Sequence, residues 1–446
     1  MTYEEARSYA ANVSKSGSVL GLFSIEHLMQ ELGDVQEKLK IIHIAGTNGK
    51  GSTGAYLESV LIEAGYKVGR YTSPAVFEPL EVWRINRENI SPLDYADMMG
   101  QVKCACDRMV EKGMEQPTIF EVETALAFLY FYRKNCDYVL LEVGMGGSTD
   151  ATNLISKPLC SVITSVSMDH MQFLGNTLED IAKAKAGIIK EGCPVVTIEQ
   201  KEPAMRVIKE KAEKMHAKLF VSDTSKVSEE KASLKEICFC YEGLGQVVSP
   251  LTGTYQIENC CLAITVLKEV LNIPDTIILT GVEKTEWAGR FEVIGENPLF
   301  IIDGAHNEDA AVKLRKTVEN YFTNLPITYI IGVLADKEHE KVLKELLPYA
   351  GAVFTVTPEN GRAMQADKLA AEAIQVLDML EQQKEKPEDK AGNVVPKEKK
   401  RPEVTACSSI EEAVELALKE TQKDGVILAF GSLSYLKEVK KLMQAK

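Results

Sequence analysis

The stretch of sequence that decides the fold is GTNGKGST, residues 46–53. It follows an apolar run, Ile41–Ala45, which predicts a buried strand, and it precedes an amphipathic segment, Ser52–Ala64, which predicts a helix that stops at Gly65. A glycine-rich turn between a strand and a helix lets backbone amides surround phosphate oxygens, and the helix N-terminus adds partial positive charge. The stretch therefore predicts a phosphate-binding site in an α/β fold.

The side chains of this loop fit the same chemistry. Lys50 would reach the terminal phosphates of a nucleoside triphosphate, and Ser52 or Thr53 would meet a magnesium ion. The spacing differs from the usual phosphate-binding loop, because two residues rather than four separate its first two glycines and Gly51 stands between Lys50 and Ser52. The alternative is a purely structural turn. The strand, lysine and hydroxyl context favours nucleotide binding.

Length and composition are typical of a globular protein with more than one domain. The 446 residues suggest about two or three domains, and 45% hydrophobic and 26% charged residues are ordinary values. The formal charge of −14 disfavours a general nucleic-acid or anionic-membrane binder, so we expect no nucleic acid and no membrane as partner. The N-terminus is acidic rather than signal-like and the ten cysteines lack zinc-site spacing, so we expect a cytoplasmic protein with reduced thiols.

Short apolar runs alternate with helical patterns along the chain, which predicts parallel α/β architecture. The predicted strands are Ile41–Ala45, Tyr138–Val143, Leu159–Val166 and Pro194–Ile198 in the first half, and Leu299–Ile302, Ile327–Leu334, Ala352–Thr357 and Val426–Phe430 in the second. A break at Glu296–Pro298 predicts a domain boundary, which divides the chain into residues 1–295 and 296–446. Residues 381–402 are rich in Lys, Glu and Pro and predict a flexible insertion.

Three polar residues lie at or just beyond strand ends in the first half. Glu142 ends an apolar run that glycines follow, Ser73 precedes a proline, and His170 follows an acid. A buried carboxylate is costly unless it meets a cation, and with Lys50 the three residues predict a magnesium–nucleotide site at strand ends. Magnesium prefers oxygen, so His170 is the least typical ligand. The alternative for Glu142 is an acid that faces water. The alternatives for Ser73 and His170 are an ordinary turn and a surface histidine.

The second half carries a similar group of residues. Asp303 and His306 stand just beyond the predicted strand Leu299–Ile302, and Arg290 precedes it near the predicted boundary. An arginine at this position is suited to contact a phosphate. The alternative for Arg290 is an interdomain salt bridge.

Together these motifs resemble the folylpolyglutamate synthase/dihydrofolate synthase family, a branch of the Mur-type ATP-dependent amide ligases. The resemblance covers nearly the whole chain. The motifs that carry it, in family order, are Leu20–Leu22, residues 46–53, Thr72–Pro74, Thr118–Glu121 with Thr124 and Ala125, Glu142–Gly147 with Asp150–Asn153, Asp169 and His170, Lys185–Lys190, Leu251–Gly253 with Gln256 and Asn259, Trp287–Arg290, Asp303–Asn307, Leu334–Lys337 and Gly431–Leu433.

The resemblance implies a P-loop-like ATPase domain with a parallel sheet and a smaller C-terminal Rossmann-like α/β domain with glutamate ligase function. In such enzymes ATP phosphorylates a carboxylate of the folate substrate, and the amine of L-glutamate attacks the acyl phosphate. The products are an amide, ADP and phosphate. The implied substrates are ATP, L-glutamate and tetrahydrofolate, with dihydropteroate as a further acceptor to be tested, and the implied metal is one or two Mg²⁺ ions.

The resemblance also implies roles for individual residues. The phosphates would be held by Asn48, Gly49, Lys50, Gly51 and Ser52, and the magnesium by Ser73, Glu142 and His170. The remaining nucleotide contacts would come from Asn259, Arg290 and Asp303. The residues implied in catalysis are Lys50, Lys185, Asp303 and His306, the last near the transferring phosphate.

Lys185 is a more specific expectation. In this superfamily a lysine at this position can carry a carbamate, an anion able to support a second metal ion. Its amine must be neutral to react with carbon dioxide, so a depressed pKa would be required. The alternative is an unmodified, solvated lysine on a helix that also carries Lys183 and Lys190.

Two residues depart from the family pattern, and two rival functions are compatible with the sequence. Ala75 and Val82 differ from the commoner family pattern in a loop that borders the folate and glutamate sites of relatives, so they bear on substrate choice. A Mur ligase acting on a UDP-sugar peptide is one rival, and only 45 residues precede Gly46, which leaves little room for its nucleotide-sugar domain. The other is an ATP-binding phosphotransferase or regulator without ligase activity. We expect a monomer.

Overall fold

The computed structural model describes residues 1–17, 21–323, 325–384 and 401–445. Contacts within the chain divide it into two compact units. The first unit comprises Met1–Lys231, Cys238–Pro250 and Gln256–Glu286, and the second comprises Ala232–Ile237, Leu251–Tyr255 and Trp287–Lys446. The functional domain boundary at residues 295 and 296 stays a prediction.

Within these ranges the β-strands are β1 (Ile41–Ala45), β2 (Val68–Tyr71), β3 (Trp83–Ile85), β4 (Glu88–Asn89), β5 (Tyr138–Glu142), β6 (Cys160–Ile163), β7 (Val195–Ile198), β8 (Leu219–Ser222), β9 (Val227–Ala232), β10 (Ile237–Tyr241), β11 (Gly245–Ser249), β12 (Glu292–Glu296), β13 (Leu299–Ile302), β14 (Ile327–Ile331), β15 (Ala350–Thr355), β16 (Glu403–Ala406) and β17 (Val426–Phe430). The α-helices are α1 (Tyr3–Val13), α2 (Phe23–Glu31), α3 (Lys50–Glu63), α4 (Pro92–Glu111), α5 (Ile119–Arg133), α6 (Met171–Leu174), α7 (Leu178–Ala186), α8 (Glu202–Lys214), α9 (Gln256–Glu269), α10 (Asp275–Glu283), α11 (Glu308–Tyr321), α12 (His339–Leu346), α13 (Ala366–Lys384), α14 (Ile410–Glu420) and α15 (Leu436–Gln444). Short 3₁₀ helices cover Ser14–Ser16, Val35–Lys38, Pro79–Val82, Ala151–Leu154, Thr224–Lys226, Leu347–Tyr349 and Leu433–Tyr435.

The first unit is built on an eight-stranded sheet with the order β4-β3-β2-β5-β1-β6-β7-β8. The six strands from β2 to β8 in this order run parallel, and β3 and β4 add an antiparallel edge. Parallel strands end at the same edge of a sheet. The glycine-rich loop after β1, Ser73 after β2 and Glu142 at the end of β5 therefore share one edge.

The predicted strands are present, three of them with the predicted bounds, and the parallel α/β fold class is confirmed. The strand predicted at Leu159–Val166 is shorter, because the chain leaves the sheet after Ile163. There the carbonyl of Ser165 accepts a hydrogen bond from the Thr47 amide at 2.7 Å, and the Val166 amide donates to the Gln200 side chain at 3.0 Å. The first bond ties the segment after β6 to the glycine-rich loop, and the second ties it to the segment after β7.

The helix after the glycine-rich loop, α3, is not amphipathic, so that expectation was wrong. It begins at Lys50, and every residue from Ser52 to Leu61 is buried. Helices α9 and α10, which come more than 190 residues later, pack against it, and a Cβ on Gly281 would lie 2.5 Å from the Cα of Val60. The sequence next to the glycine-rich loop does not indicate that two later helices bury α3.

A buried ion pair joins α3 to β2 beneath the glycine-rich loop. Arg70 and Glu58 are 1% and 3% exposed, and Arg70 Nη1 donates to Glu58 Oε2 at 2.8 Å. Arg70 also donates to the carbonyl of Gly51. The pair therefore supports the first turn of α3.

Replacing Arg70 with Met should lower the free energy of unfolding by about 3–5 kcal/mol, because it leaves the Glu58 carboxylate buried without its cation. Urea denaturation measures this change. The double variant Arg70→Met/Glu58→Leu should recover much of the loss, since it removes both charges. A loss below about 1 kcal/mol for the single variant, the level of an exposed pair, would contradict the assignment of a buried pair.

The second unit is built on a six-stranded sheet with the order β12-β13-β17-β14-β15-β16. Strands β13 to β16 in this order are parallel, and β12 pairs antiparallel with β13 at one edge. A core of apolar side chains from this sheet and helices α11 to α13 includes Ile301, Leu314, Tyr329 and Leu369. Asp303 directly follows β13, as predicted from the sequence.

The predicted insertion at 381–402 falls mostly outside the described residues, since 385–400 are not among them. Helix α13 continues to Lys384, and Arg401 pairs with Asp378 at 2.7 Å and with Glu381 at 3.0 Å. No helix in the described ranges is both long enough and apolar enough to cross a membrane.

Candidate active site

The glycine-rich loop is closely packed on two sides. Gly46 has φ +151 and Gly49 has φ +91, values that favour glycine. A Cβ on Gly46 would lie 1.7 Å from Thr164 Oγ1, and one on Gly49 would lie 2.3 Å from Asn259 Oδ1. Asn259 is 7% exposed, and its Nδ2 donates to Gln256 Oε1 at 3.0 Å, which orients the amide. The predicted nucleotide residue Asn259 therefore lies against the loop.

Replacing Gly49 with Ala should lower kcat/KM for ATP by roughly tenfold, because both the positive φ and the contact with Asn259 force the loop to move. Steady-state kinetics with varied ATP measures the change. Gly65→Ala is the matched control, since Gly65 has φ +85 but nothing within 4 Å of an added Cβ. Equal losses of kcat/KM in the two variants would show that close packing of the loop is unimportant.

Two lysines meet at the loop. The Nζ of Lys50 lies 3.2 Å from the carbonyl oxygen of Gly46, and the Nζ of Lys185 donates to the same oxygen at 2.9 Å. Lys185 belongs to α7 and is only 4% exposed, so it is not the solvated lysine of the alternative interpretation. Two ammonium groups that share one carbonyl repel each other, so this corner suits an anion.

Glu142 supplies one negative charge near these lysines. It ends β5, pairs in register with Ile44 of β1, and its Oε1 lies 3.9 Å from Lys50 Nζ. The Glu142 side chain is 12% exposed, so it is not a strand-end acid that faces water freely. The sequence prediction that Lys50 and Glu142 lie close together agrees with this distance.

Ser73 and His170 lie on either side of this centre in the strand order. Ser73 follows β2, the neighbour of β5, whereas His170 follows β6, so that β2 and β6 are three strand spacings apart, or roughly 14 Å. His170 has φ +51, and its Nε2 lies 3.8 Å from Asp169 Oδ2. The loop after β6 has to bring His170 across this distance if one ion is to bind all three residues. Their joint role as metal ligands stays a prediction.

The donor set fits magnesium better than a metal held entirely by protein. In the described part of the chain, no group of three or more His, Cys, Asp and Glu side chains is arranged to hold a metal ion. Mg²⁺ is usually held by one or two carboxylates together with waters and substrate phosphates. A single carboxylate, Glu142, beside a phosphate-binding loop matches that pattern.

The turn that follows Glu142 is fixed by a buried network that the sequence analysis did not identify. The Asp150 carboxylate accepts hydrogen bonds from the Met145 amide at 2.8 Å and from Thr152 Oγ1 at 2.6 Å. Because that hydroxyl donates to Asp150, it accepts from His43 Nε2 at 2.9 Å. Burial, and to a lesser degree Lys190, lowers the pKa of His43 to about 3, so the ring is neutral. The sequence feature that could have revealed this network is His43, a polar residue inside the apolar run Ile41–Ala45.

The predicted residues of the second unit also lie together. A Cβ on Gly304 would lie 1.7 Å from Arg290 Nη1, so the guanidinium packs over the backbone just after Asp303. His306 Nδ1 donates to the Gly304 carbonyl at 2.8 Å, so Nε2 is the nitrogen without a proton whenever the ring is neutral. Burial raises the pKa of the Asp303 carboxyl above its usual value, although Arg290 and three hydrogen bonds act in the opposite direction.

Comparisons with known proteins identify the family of this chain. Residues 44–267 match the Mur ligase middle domain, and residues 289–433 match the Mur ligase glutamate ligase domain. A Bacillus subtilis protein named dihydrofolate synthase/folylpolyglutamate synthase is 38% identical over 382 residues, covering 82% of this chain and 88% of that protein. A Saccharomyces cerevisiae dihydrofolate synthetase is 35% identical over 345 residues, covering 74% of this chain and 79% of that protein.

A solved structure extends the similarity to the whole fold. Mycobacterium tuberculosis folylpolyglutamate synthase, complexed with ADP and AMPPCP, matches with a TM-score of 0.85 at 26% identity and covers 99% of both chains. Together with the sequence relatives, this match confirms the resemblance drawn from the motifs. The chain belongs to the folylpolyglutamate synthase/dihydrofolate synthase family of Mur-type ligases.

Proposed function

We propose that this protein is an ATP-dependent ligase that joins L-glutamate to a folate through an acyl phosphate. The observation that carries the proposal is the meeting of Lys50 and Lys185 on the carbonyl of Gly46, with Glu142 3.9 Å from Lys50. This corner suits a polyanion together with a divalent cation. Membership of the family supplies the substrate class, since the sequence relatives are named for folate chemistry.

The reaction needs ATP because a carboxylate is a poor acyl donor. An oxygen of the folate carboxylate attacks the γ-phosphorus, and ADP leaves. The amine of glutamate then attacks the acyl carbon and loses a proton, and phosphate leaves with the oxygen that joined it to carbon. The protein mainly positions the reactants and neutralises charge on the transferring phosphoryl group.

Individual residues have the following proposed roles. The loop residues Asn48, Gly49, Gly51 and Ser52 surround the phosphates, and Lys50 neutralises the terminal phosphate. The remaining contacts with the nucleotide come from Asn259, Arg290 and Asp303. Bound magnesium, held by Glu142 with Ser73 and His170, would neutralise phosphate charge. Nε2 of His306 is suited to accept a proton or hydrogen bond near the transferring phosphate.

A carbamate on Lys185 is part of the proposal. Lys185 carbamate would replace one of two repelling ammonium groups with an anion next to Lys50, and it could support a second metal ion. The burial of Lys185 and the presence of the Lys50 ammonium at the same carbonyl support this choice, because two ammonium groups there repel each other.

A substrate panel tests the function. Purified protein with ATP, Mg²⁺ and L-glutamate is given tetrahydrofolate or dihydropteroate, and products are resolved by mass. We expect ADP formation that needs both the folate and glutamate, and a folate product extended by glutamate. ADP formation that ignores glutamate would favour a phosphotransferase or simple ATPase, and no turnover with either acceptor would reject the substrate class.

Dihydropteroate is the second candidate acceptor. The Bacillus subtilis relative is named for both activities, and the yeast relative for dihydrofolate synthesis. The same relatives disfavour a UDP-sugar peptide as substrate, because both are named for folate chemistry. The monomeric state stays a prediction, which sedimentation can test.

A further inference from the structure

Arg290 is followed by a strained residue. Phe291 has φ +49, in the left-handed region that bulky side chains rarely adopt, and it follows Gly289 with φ +75 and Arg290. The Phe291 ring is 1% exposed and stacks on Tyr321 with ring centroids 5.5 Å apart. Such a backbone persists only where the surroundings fix it, and such residues cluster at functional sites.

The carboxylate of Asp303 fixes this backbone. Its Oδ2 accepts hydrogen bonds from the Phe291 amide at 2.8 Å and from the Tyr255 hydroxyl at 2.7 Å, and its Oδ1 accepts from the Ala305 amide at 2.8 Å. Asp303 is 3% exposed. Both carboxylate oxygens are therefore oriented by donors within the second unit, and the Arg290 guanidinium packs over the next residue, Gly304.

Tyr255 is the side-chain donor in this set, because the two other bonds come from backbone amides. A carboxylate held by amides alone can rotate about its Cβ–Cγ bond more freely than one that a phenol also holds. Rotation would lengthen the bond to the Phe291 amide, which would let that peptide relax towards negative φ. The relaxation would turn the preceding residue, Arg290, away from its present direction.

We propose that Tyr255 is a positioning residue for Arg290: through Asp303 and the strained peptide of Phe291, its hydroxyl holds the guanidinium in the direction that binds nucleotide phosphate. This inference rests on the proposed function only in that Arg290 contacts the nucleotide. It assigns Asp303 chiefly to holding the backbone around Arg290.

The test is a double-mutant cycle on nucleotide affinity. Binding of AMPPCP with Mg²⁺ is measured by calorimetric titration for the wild type, Tyr255→Phe, Arg290→Ala and the double variant. We expect Tyr255→Phe to weaken binding about tenfold, as for loss of a hydrogen bond to a buried charged group. In the Arg290→Ala background, Tyr255→Phe should weaken binding less than about twofold, because the guanidinium that Tyr255 positions has been removed.

Tyr435→Phe is the matched control. Tyr435 is a 1% exposed tyrosine of the same unit, and its hydroxyl donates to the carbonyls of Phe430 and Ile330 at 2.7 and 2.9 Å. The Tyr435→Phe variant should lower the melting temperature about as much as Tyr255→Phe does and leave AMPPCP affinity unchanged. This comparison separates an effect on the position of Arg290 from a general loss of stability.

Three results would overturn the inference: a tenfold loss that persists in the Arg290→Ala background, no loss in Tyr255→Phe, or unchanged affinity in Arg290→Ala itself. The assay needs neither folate nor glutamate. A wild type that binds AMPPCP but shows no glutamate-dependent turnover would therefore reject the ligase function and leave this test valid.

Discussion

Replacing Lys50 with Met should lower kcat about a hundredfold or more, because it removes a preorganised positive charge from the transferring phosphoryl group. Met keeps the apolar stem of the side chain, so the fold of the loop should survive. The measurement is ADP formation at saturating ATP, folate and glutamate. The melting temperature should change little, since the Lys50 ammonium contacts loop carbonyls and a partly exposed Glu142.

Lys40→Met provides the control for this variant. Lys40 is an exposed residue that precedes β1, at the opposite end of the strand from Lys50, and its Nζ lies 5.9 Å from the ring centroid of Tyr138. It changes the net charge by the same amount and should leave kcat unchanged. A fall of less than about tenfold in Lys50→Met would mean that Lys50 does not neutralise the transferring phosphate.

Replacing Lys185 with Met should also lower kcat about a hundredfold, because this side chain reaches the same carbonyl as Lys50 and lies at the centre of the proposed site. Lys183→Met is the control, since Lys183 lies on the same helix with a 60% exposed side chain that pairs with Glu179. Lys183→Met should keep full activity. Equal activity of the two variants would remove Lys185 from the catalytic group.

Isotope labelling tests for a carbamate on Lys185. Protein incubated with ¹³C-labelled bicarbonate should show a carbamate carbon resonance that Lys185→Met lacks and Lys183→Met keeps. Removal of carbon dioxide should lower the activity of the wild type, and bicarbonate should restore it. A resonance that persists in Lys185→Met, or activity that does not depend on carbon dioxide, would leave Lys185 as an unmodified lysine.

Much of the fold was predictable because parallel strands are short apolar runs. β1, β13 and β17 have the predicted bounds, since both faces of such strands are covered and the polar residues after them mark their ends. The burial of α3 was not predictable, because the helices that cover it come from residues 256–283. Local periodicity carries no information about such distant partners.

The contacts of the candidate site were likewise predictable only in part. Lys50 and Glu142 could be paired from the sequence, because strand ends in a parallel sheet share one edge. The roles of Tyr255 and His43 could not, because they depend on hydrogen bonds across many residues. The positive φ of Phe291 was equally hidden, since residue type gives no reason for an aromatic side chain to adopt it.

The most direct test of the central claim, that ATP activates a folate carboxylate as an acyl phosphate, is transfer of an oxygen isotope. Tetrahydrofolate labelled with ¹⁸O in its glutamate carboxylates is converted with ATP, Mg²⁺ and L-glutamate, and the released phosphate is analysed by mass. Attack of the carboxylate on the γ-phosphorus predicts one ¹⁸O atom in each inorganic phosphate formed. Unlabelled phosphate, or ¹⁸O in AMP, would contradict the account.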